Sequence, residues 1–203
     1  MQVRQVGALT WVIMLLVVLA LSGCSTRVDR VGAEETHDLS GRWNDTDSRM
    51  VSEEMVADLL SRAWLTEHAE RRGGRPTVIV GEVRNLSHEH INVNTFIRDI
   101  ERELINAGRV TFVAGGRERE AIREERADQD LHATDATRSA MGREIGADYM
   151  LTGTINTIMD VEGRTQVAYY QVDLALTSMA DNRRVWVGQK KIKKVIQRGR
   201  FRS

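Results

Sequence analysis

TVIVGEV, at Thr77–Val83, is a short and mostly apolar run bounded by turn signals, as buried central strands tend to be. NVNTFIRDIERELINAGRVTFV follows at Asn92–Val113 and repeats its apolar residues at helical spacing, with Asn92 or Asn94 as the N-cap and Gly108 as the end. Val110–Val113 is a second short strand. Strand, helix and strand in this order predict a βαβ unit with a right-handed crossover.

The residues before this unit predict one long helix. Apolar side chains recur at helical spacing from Val51 to Trp64, and the side-chain oxygens of residues 45–48 offer N-caps. The Gly-Gly-Arg-Pro stretch at 73–76 ends the helix, because glycine accepts a left-handed cap and proline cannot continue a helix.

After the βαβ unit, the spacing of the apolar residues along the sequence changes. The densely charged stretch Gly115–Asp130 predicts a solvated helix, and a further helix is expected at Asp135–Ile145. From Tyr149 onward, apolar and polar residues alternate in three segments separated by the turns VEGRT and ADNRR, which predicts an antiparallel meander. The fold class expected is therefore α/β: a single domain with a mixed β-sheet, a βαβ unit plus a C-terminal meander, flanked by about four helices.

The N-terminal residues have the pattern of an export signal. One cation, Arg4, precedes an apolar run at Ala8–Leu21, which is short for a membrane-spanning helix. The following Leu-Ser-Gly-Cys resembles the lipobox of bacterial lipoproteins, which implies cleavage before Cys24, the single cysteine, and acylation of that residue. A core cysteine behind an uncleaved membrane helix is the alternative. The predicted organisation is a signal peptide at 1–23, a lipidated tether at 24–40 and a globular domain at 41–203.

The residue after the cysteine and the length of the tether refine this picture. Ser25 is not the aspartate that resembles an inner-membrane retention signal, which favours the outer membrane with the domain facing the periplasm. Ser25–Ser40 is polar and aperiodic. As a flexible chain it spans about 22 Å, and fully stretched it reaches under about 60 Å.

Charge is distributed unevenly although the formal net charge is zero. Asn182–Ser203 holds nine basic residues and no acidic one, and the acidic residues all lie before it. The electrostatic field of this basic segment can steer an anionic partner towards it. Alternatively, the lysines keep an edge strand from aggregating. Nucleic acid is not an expected partner of an exported chain.

Enzyme motifs with the required spacing are missing from the sequence: it has no phosphate-binding loop, no dinucleotide fingerprint and no nucleophile elbow. His88-Glu89-His90 resembles a metal site, but two imidazoles at i and i+2 need a third ligand that the sequence does not nominate. A polar surface loop is the interpretation favoured there. We therefore expect no catalysis, no cofactor, no bound metal and no small-molecule substrate.

Three segments carry a family resemblance: SGRWNDTDS at Ser40–Ser48, the Asn92–Val113 stretch, and GADYMLTGTI at Gly146–Ile155. Together they resemble the LpoB-type penicillin-binding-protein activators, within the wider TolB-N-like and CsgG-like group. The resemblance implies an α/β domain that binds a bifunctional peptidoglycan synthase, a penicillin-binding protein, and stimulates cell-wall synthesis. The alternative is an envelope assembly or structural lipoprotein related to the curli-secretion subunits. An enzyme acting on glycan would need a cleft with paired carboxylates.

Some relatives cross the periplasm on a long tether, so the short tether of this chain predicts either a synthase that projects far outward or a different envelope partner.

The candidate partner-binding residues are Trp43, Asn44, Asp45 and Asp47. An aromatic ring among acids suits a docking point, whereas the structural interpretation has Trp43 packing at the foot of the first helix while the others cap it.

Overall fold

The computed structural model describes residues 29–32, 35–36, 38–132 and 144–197. The chain divides into two compact units, 1–35 and 36–203. All the described helices and strands belong to the second unit. They are α1 (Asp45–Ser61), α2 (Trp64–Arg72), β1 (Thr77–Asn85), α3 (Val93–Asn106), β2 (Thr111–Phe112), α4 (Gly116–His132), β3 (Tyr149–Glu162), β4 (Thr165–Ser178) and β5 (Arg184–Gln197).

The five strands form one mixed sheet in the order β2-β1-β3-β4-β5. Strand β1 runs parallel to β2 and to β3, so the β1-α3-β2 unit predicted from the sequence is confirmed. The last three strands are antiparallel neighbours, which confirms the meander. Of the predicted helix at Asp135–Ile145, residues 135–143 lie outside the described part, and 144–145 are not helical. The chain is thus a mixed α/β domain with four described helices.

One face of the sheet, the inner face, carries the core. Helix α1 packs against α3 and β5, and α3 packs against β1 and β2. The fully buried side chains that meet there come from both layers: Val51, Leu59, Phe96, Ile100 and Leu104 from the helices, and Val78, Leu151, Ile155, Tyr170 and Leu176 from the strands. Each contributes about 1.5–3 kcal/mol relative to exposure. None of the described helices has the length and apolar character needed to cross a membrane.

The helix predicted to run unbroken to residue 72 is interrupted, so that part of the prediction is wrong. Arg62 adopts extended dihedrals, with φ −88° and ψ 160°, and ends α1. The Trp64 indole nitrogen then donates to the Leu59 carbonyl at 2.7 Å, and Arg109 donates to the Leu60 carbonyl at 2.6 Å. These two side chains satisfy carbonyls that a helix end leaves open, which makes the break favourable without glycine or proline.

Gly153 in the middle of β3 is expected to be intolerant of a side chain. An added Cβ would lie 2.4 Å from Leu174 Cδ2 and 2.5 Å from the Asp173 carbonyl oxygen. Because backbone cannot yield as a flexible side chain does, we expect Gly153→Ala to lower the free energy of unfolding by about 1–3 kcal/mol, measured by urea denaturation. Gly146→Ala is the matched control, since no atom lies within 4 Å of its Cβ position. Equal stability of the two variants would contradict the packing described.

Candidate functional site

The start of helix α1 is closed by a reciprocal cap. The Asn44 side chain accepts a hydrogen bond from the Asp47 backbone N–H at 3.0 Å, and the Asp47 carboxylate accepts one from the Asn44 N–H, also at 3.0 Å. Both orphan donors are satisfied, as in a capping box. The N-cap is therefore Asn44, as the structural interpretation of the Trp43 segment expects, and not one of residues 45–48. Asp45 is exposed in the first turn, where its charge complements the helix dipole.

Trp43 packs immediately before this cap. Its indole nitrogen donates to Ser48 Oγ at 2.8 Å. Its ring meets Phe96 edge-on at a centroid distance of 6.2 Å and Tyr170 at 5.6 Å. Such edge-to-face pairs stabilise beyond the area they bury. The Trp43 side chain thereby ties α1 to α3 and to the inner face of β4.

Glu89 is a residue of this site that the sequence did not reveal. One carboxylate oxygen accepts from the Trp43 backbone N–H at 3.1 Å, and the other accepts from the Tyr170 hydroxyl at 2.8 Å. His88 and His90 on either side are exposed. The loop therefore presents its two imidazoles to solvent and turns the carboxylate between them inward. Within the described ranges, no group of three histidine, aspartate or glutamate side chains is placed to hold a metal ion.

Lys194 on β5 is the second residue that sequence analysis missed. Its ammonium donates to the Asp47 carboxylate at 2.6 Å, to Asp38 at 3.0 Å and to the Arg42 carbonyl at 3.2 Å. Asp38 also accepts from the Asn44 side-chain amide at 2.6 Å. The side chains of Lys194 and Asp47 are 13% and 5% exposed. One largely buried cation thus joins the segment entering the domain, the cap of α1 and the last strand.

The environment shifts the protonation equilibria of three of these groups. Burial, reinforced by the hydrogen bond to Glu89, raises the pKa of the Tyr170 phenol well above its ordinary value. Burial opposes the charge on Lys194, but its hydrogen bonds to Asp47 and Asp38 outweigh that effect and raise the pKa of the ammonium. The hydrogen bond from Lys194 lowers the pKa of Asp38. At neutral pH the site therefore holds the Lys194 ammonium and the Asp38 carboxylate beside the neutral Tyr170 phenol.

The structure brings three of the four candidate partner-binding residues into this bonded network and leaves one outside. Trp43, Asn44 and Asp47 have structural partners, as described above, whereas Asp45 faces solvent. Cys24, the predicted lipid-attachment residue, lies outside the described residues. The arrangement is a hydrogen-bonded cluster in which the Lys194 cation is paired with Asp47 and Asp38.

A family model described as peptidoglycan-synthase activator LpoB matches residues 47–192, from the cap of α1 to the middle of β5. The chain belongs to the LpoB family. The resemblance noted in the sequence is thereby confirmed. No curated protein sequence matches the chain.

Solved structures of LpoB domains are similar to the chain at low identity. The LpoB C-terminal domain of Escherichia coli shares 17% identity, with 73% of this chain and 99% of that domain covered and a TM-score of 0.42. The corresponding Salmonella enterica domain shares 15% identity, with 64% and 93% covered and a TM-score of 0.34. Lipoprotein GNA1162 of Neisseria meningitidis shares 15% identity, with 59% and 83% covered and a TM-score of 0.38.

Proposed function

We propose that the chain is a non-catalytic lipoprotein, anchored in the outer membrane and facing the periplasm, that binds and activates a bifunctional peptidoglycan synthase of the penicillin-binding-protein class. The observation that carries this proposal is the match of the activator family model to residues 47–192. That range spans all of α1 but its first two residues, all of α3, strands β1 to β4 and the first part of β5. The regulated step would be glycan polymerisation and cross-linking by the synthase.

The geometry around Trp43 supports a binding role for the start of α1. Hydrogen bonds hold the Trp43 nitrogen atoms and both Glu89 oxygens, so a partner would meet a surface already in its final shape. A preorganised surface loses little side-chain entropy on association. In this proposal Trp43, Asn44 and Asp47 fix the surface, and Asp45 supplies its free charge.

The anchor proposed at Cys24 limits where the domain can act. Hydrogen bonds fix the chain from Asp38 onward, which leaves 13 residues, 25–37, between the anchor and the domain. At about 3.3–3.6 Å per residue their reach is under about 50 Å. The synthase would therefore have to project outward to meet the domain.

Capture of the full-length, lipidated chain from detergent-solubilised envelopes tests this function. We expect a bifunctional synthase among the bound proteins, identified by mass spectrometry, and an acyl mass on the N-terminal peptide beginning at Cys24. The Cys24→Ser variant is expected to lose that mass and to leave the membrane fraction, because the attachment depends on buried acyl chains. An unmodified N-terminal peptide together with capture that contains no synthase would contradict the proposal.

A further inference from the structure

The four lysines of β5 are divided between the two faces of the sheet. Lys190 lies opposite Val172 and Lys194 opposite Ala168, both buried residues of the inner face. These two lysines form ion pairs, Lys190 with Glu54 and Lys194 with Asp47 and Asp38. Successive side chains of a strand point to opposite faces, so Lys191 and Lys193 lie on the outer face.

Lys191 and Lys193 lie beside apolar side chains on that outer face. Across the strands, Lys193 pairs with Tyr169, and Tyr169 pairs with Ile158. Val195 follows two positions along β5 and lies opposite Val167. These residues form one contiguous surface, named here the lysine face: Ile158, Val167, Tyr169, Lys191, Lys193 and Val195.

The lysine face is open. Ile158 is 66% exposed and Val195 is 62% exposed, so no described element covers them. Lys191 and Lys193 are exposed, and neither forms an ion pair with any described residue. Tyr169 and three aliphatic residues, Ile158, Val167 and Val195, thus share one face of the sheet with two exposed cations and with Asp160, which lies opposite Val167. Contiguous exposed apolar side chains mark interaction sites more often than an ordinary solvated face does.

We propose that the lysine face docks an acidic segment of the synthase, with Lys191 and Lys193 meeting its carboxylates while Ile158, Tyr169 and Val195 contact its apolar groups. This inference rests on the function proposed above and adds a contact surface on the outer face of the sheet, separate from the start of α1. The charge argues for an acidic partner, because Lys191 and Lys193 are exposed, form no ion pair with a described residue and lie on a strand, β5, that contains no acidic residue. Pairing of β5 with β5 of a second copy would place lysine against lysine, which is destabilising.

The test measures the affinity of the full mature chain, in detergent, for bifunctional synthase purified from the same cell. We expect Lys191→Glu with Lys193→Glu to weaken binding at least tenfold and more strongly at low salt, since like charges would then face each other. Ile158→Thr with Val195→Thr is expected to weaken binding without changing its salt dependence. Thermal melting should stay near that of the wild type, because all four side chains are exposed.

Arg75→Glu with Arg98→Glu is the matched control, because it makes the same change in net charge at exposed positions outside the lysine face. Its affinity is expected to stay within about twofold of the wild type, as screening limits the influence of distant exposed charges. Equal affinity of the lysine variant and the wild type would show that the lysine face is not a contact surface, while the proposal that the chain binds a synthase would stand. A wild-type chain that binds no synthase would contradict both the proposed function and the role of the lysine face.

Two further outcomes would assign the surface to another occupant. Binding to vesicles containing phosphatidylglycerol that is lost in the lysine variant, with synthase affinity unchanged, would make it a membrane-binding surface. Dimerisation of the wild type that the same variant abolishes, again with synthase affinity unchanged, would make it an interface between copies of the chain. Either result overturns the docking of a synthase segment there.

Discussion

Replacing Trp43 with alanine is expected to lower the free energy of unfolding by about 3 kcal/mol. The indole packs on Phe96 and Tyr170, and its nitrogen donates to Ser48, so truncation removes a contact between helix and sheet and leaves a cavity. Urea denaturation of the wild type and the variant measures the loss.

Two controls separate the packing of Trp43 from a role in docking. Trp43→Phe keeps most of the ring but removes the hydrogen bond to Ser48, so its loss of stability is expected to be smaller. Asp45→Ala changes an exposed side chain and should alter stability by less than about 0.5 kcal/mol. Normal melting of Trp43→Ala combined with lost affinity for a synthase would contradict the structural role and make Trp43 primarily a contact residue.

Lys194→Met is expected to cost about 3 kcal/mol or more. The substitution leaves the carboxylate of Asp47, 5% exposed, without the cation that it bonds at 2.6 Å, and an unpaired buried charge is unfavourable. The double variant Lys194→Met with Asp47→Asn should recover part of the loss because it removes that charge. Lys191→Met, at an exposed position of the same strand, is the control and should leave stability nearly unchanged. Comparable losses in Lys191→Met would contradict this explanation.

The same network predicts a pH dependence. The folded-state pKa of Lys194 is raised, so its stabilisation is complete below the unfolded lysine pKa of about 10.4 and is lost as pH rises through the folded value. The pKa of Asp38 is lowered, so its contribution is present above about pH 4 and is lost in acid. The stability difference between the wild type and Lys194→Met should therefore be largest from about pH 4 to pH 10, as urea denaturation across pH can show.

Periodicity was sufficient to predict the secondary structure where one face of an element is buried. The βαβ unit and the meander followed from helical spacing at Phe96, Ile100 and Leu104 and from alternation along β3 to β5. The break at Arg62 was not predictable in this way. It depends on Trp64 and on Arg109, which is 47 residues further along the chain, reaching the carbonyls at the end of α1. Such tertiary contacts override local propensity.

Only part of the candidate site could be predicted from the sequence. The segment around Trp43 stood out by composition. Glu89 did not, because a loop has no periodicity that marks an inward-facing residue, and the neighbouring His88 and His90 suggest a metal site instead. Lys194 could have been predicted from the sequence. Trp186, Ile192 and Ile196 show that the even-numbered residues of β5 lie on the inner face, and a lysine on that face needs a partner for its charge.

The rate of glycan polymerisation by a purified bifunctional synthase, measured with and without the full mature chain in the same detergent, decides whether the chain is an activator. We expect a saturable increase in rate as the chain is added, and a shift of the half-maximal concentration to at least tenfold higher values in the variant with Lys191→Glu and Lys193→Glu. A rate that stays unchanged at saturating concentrations of the folded wild-type chain would contradict it.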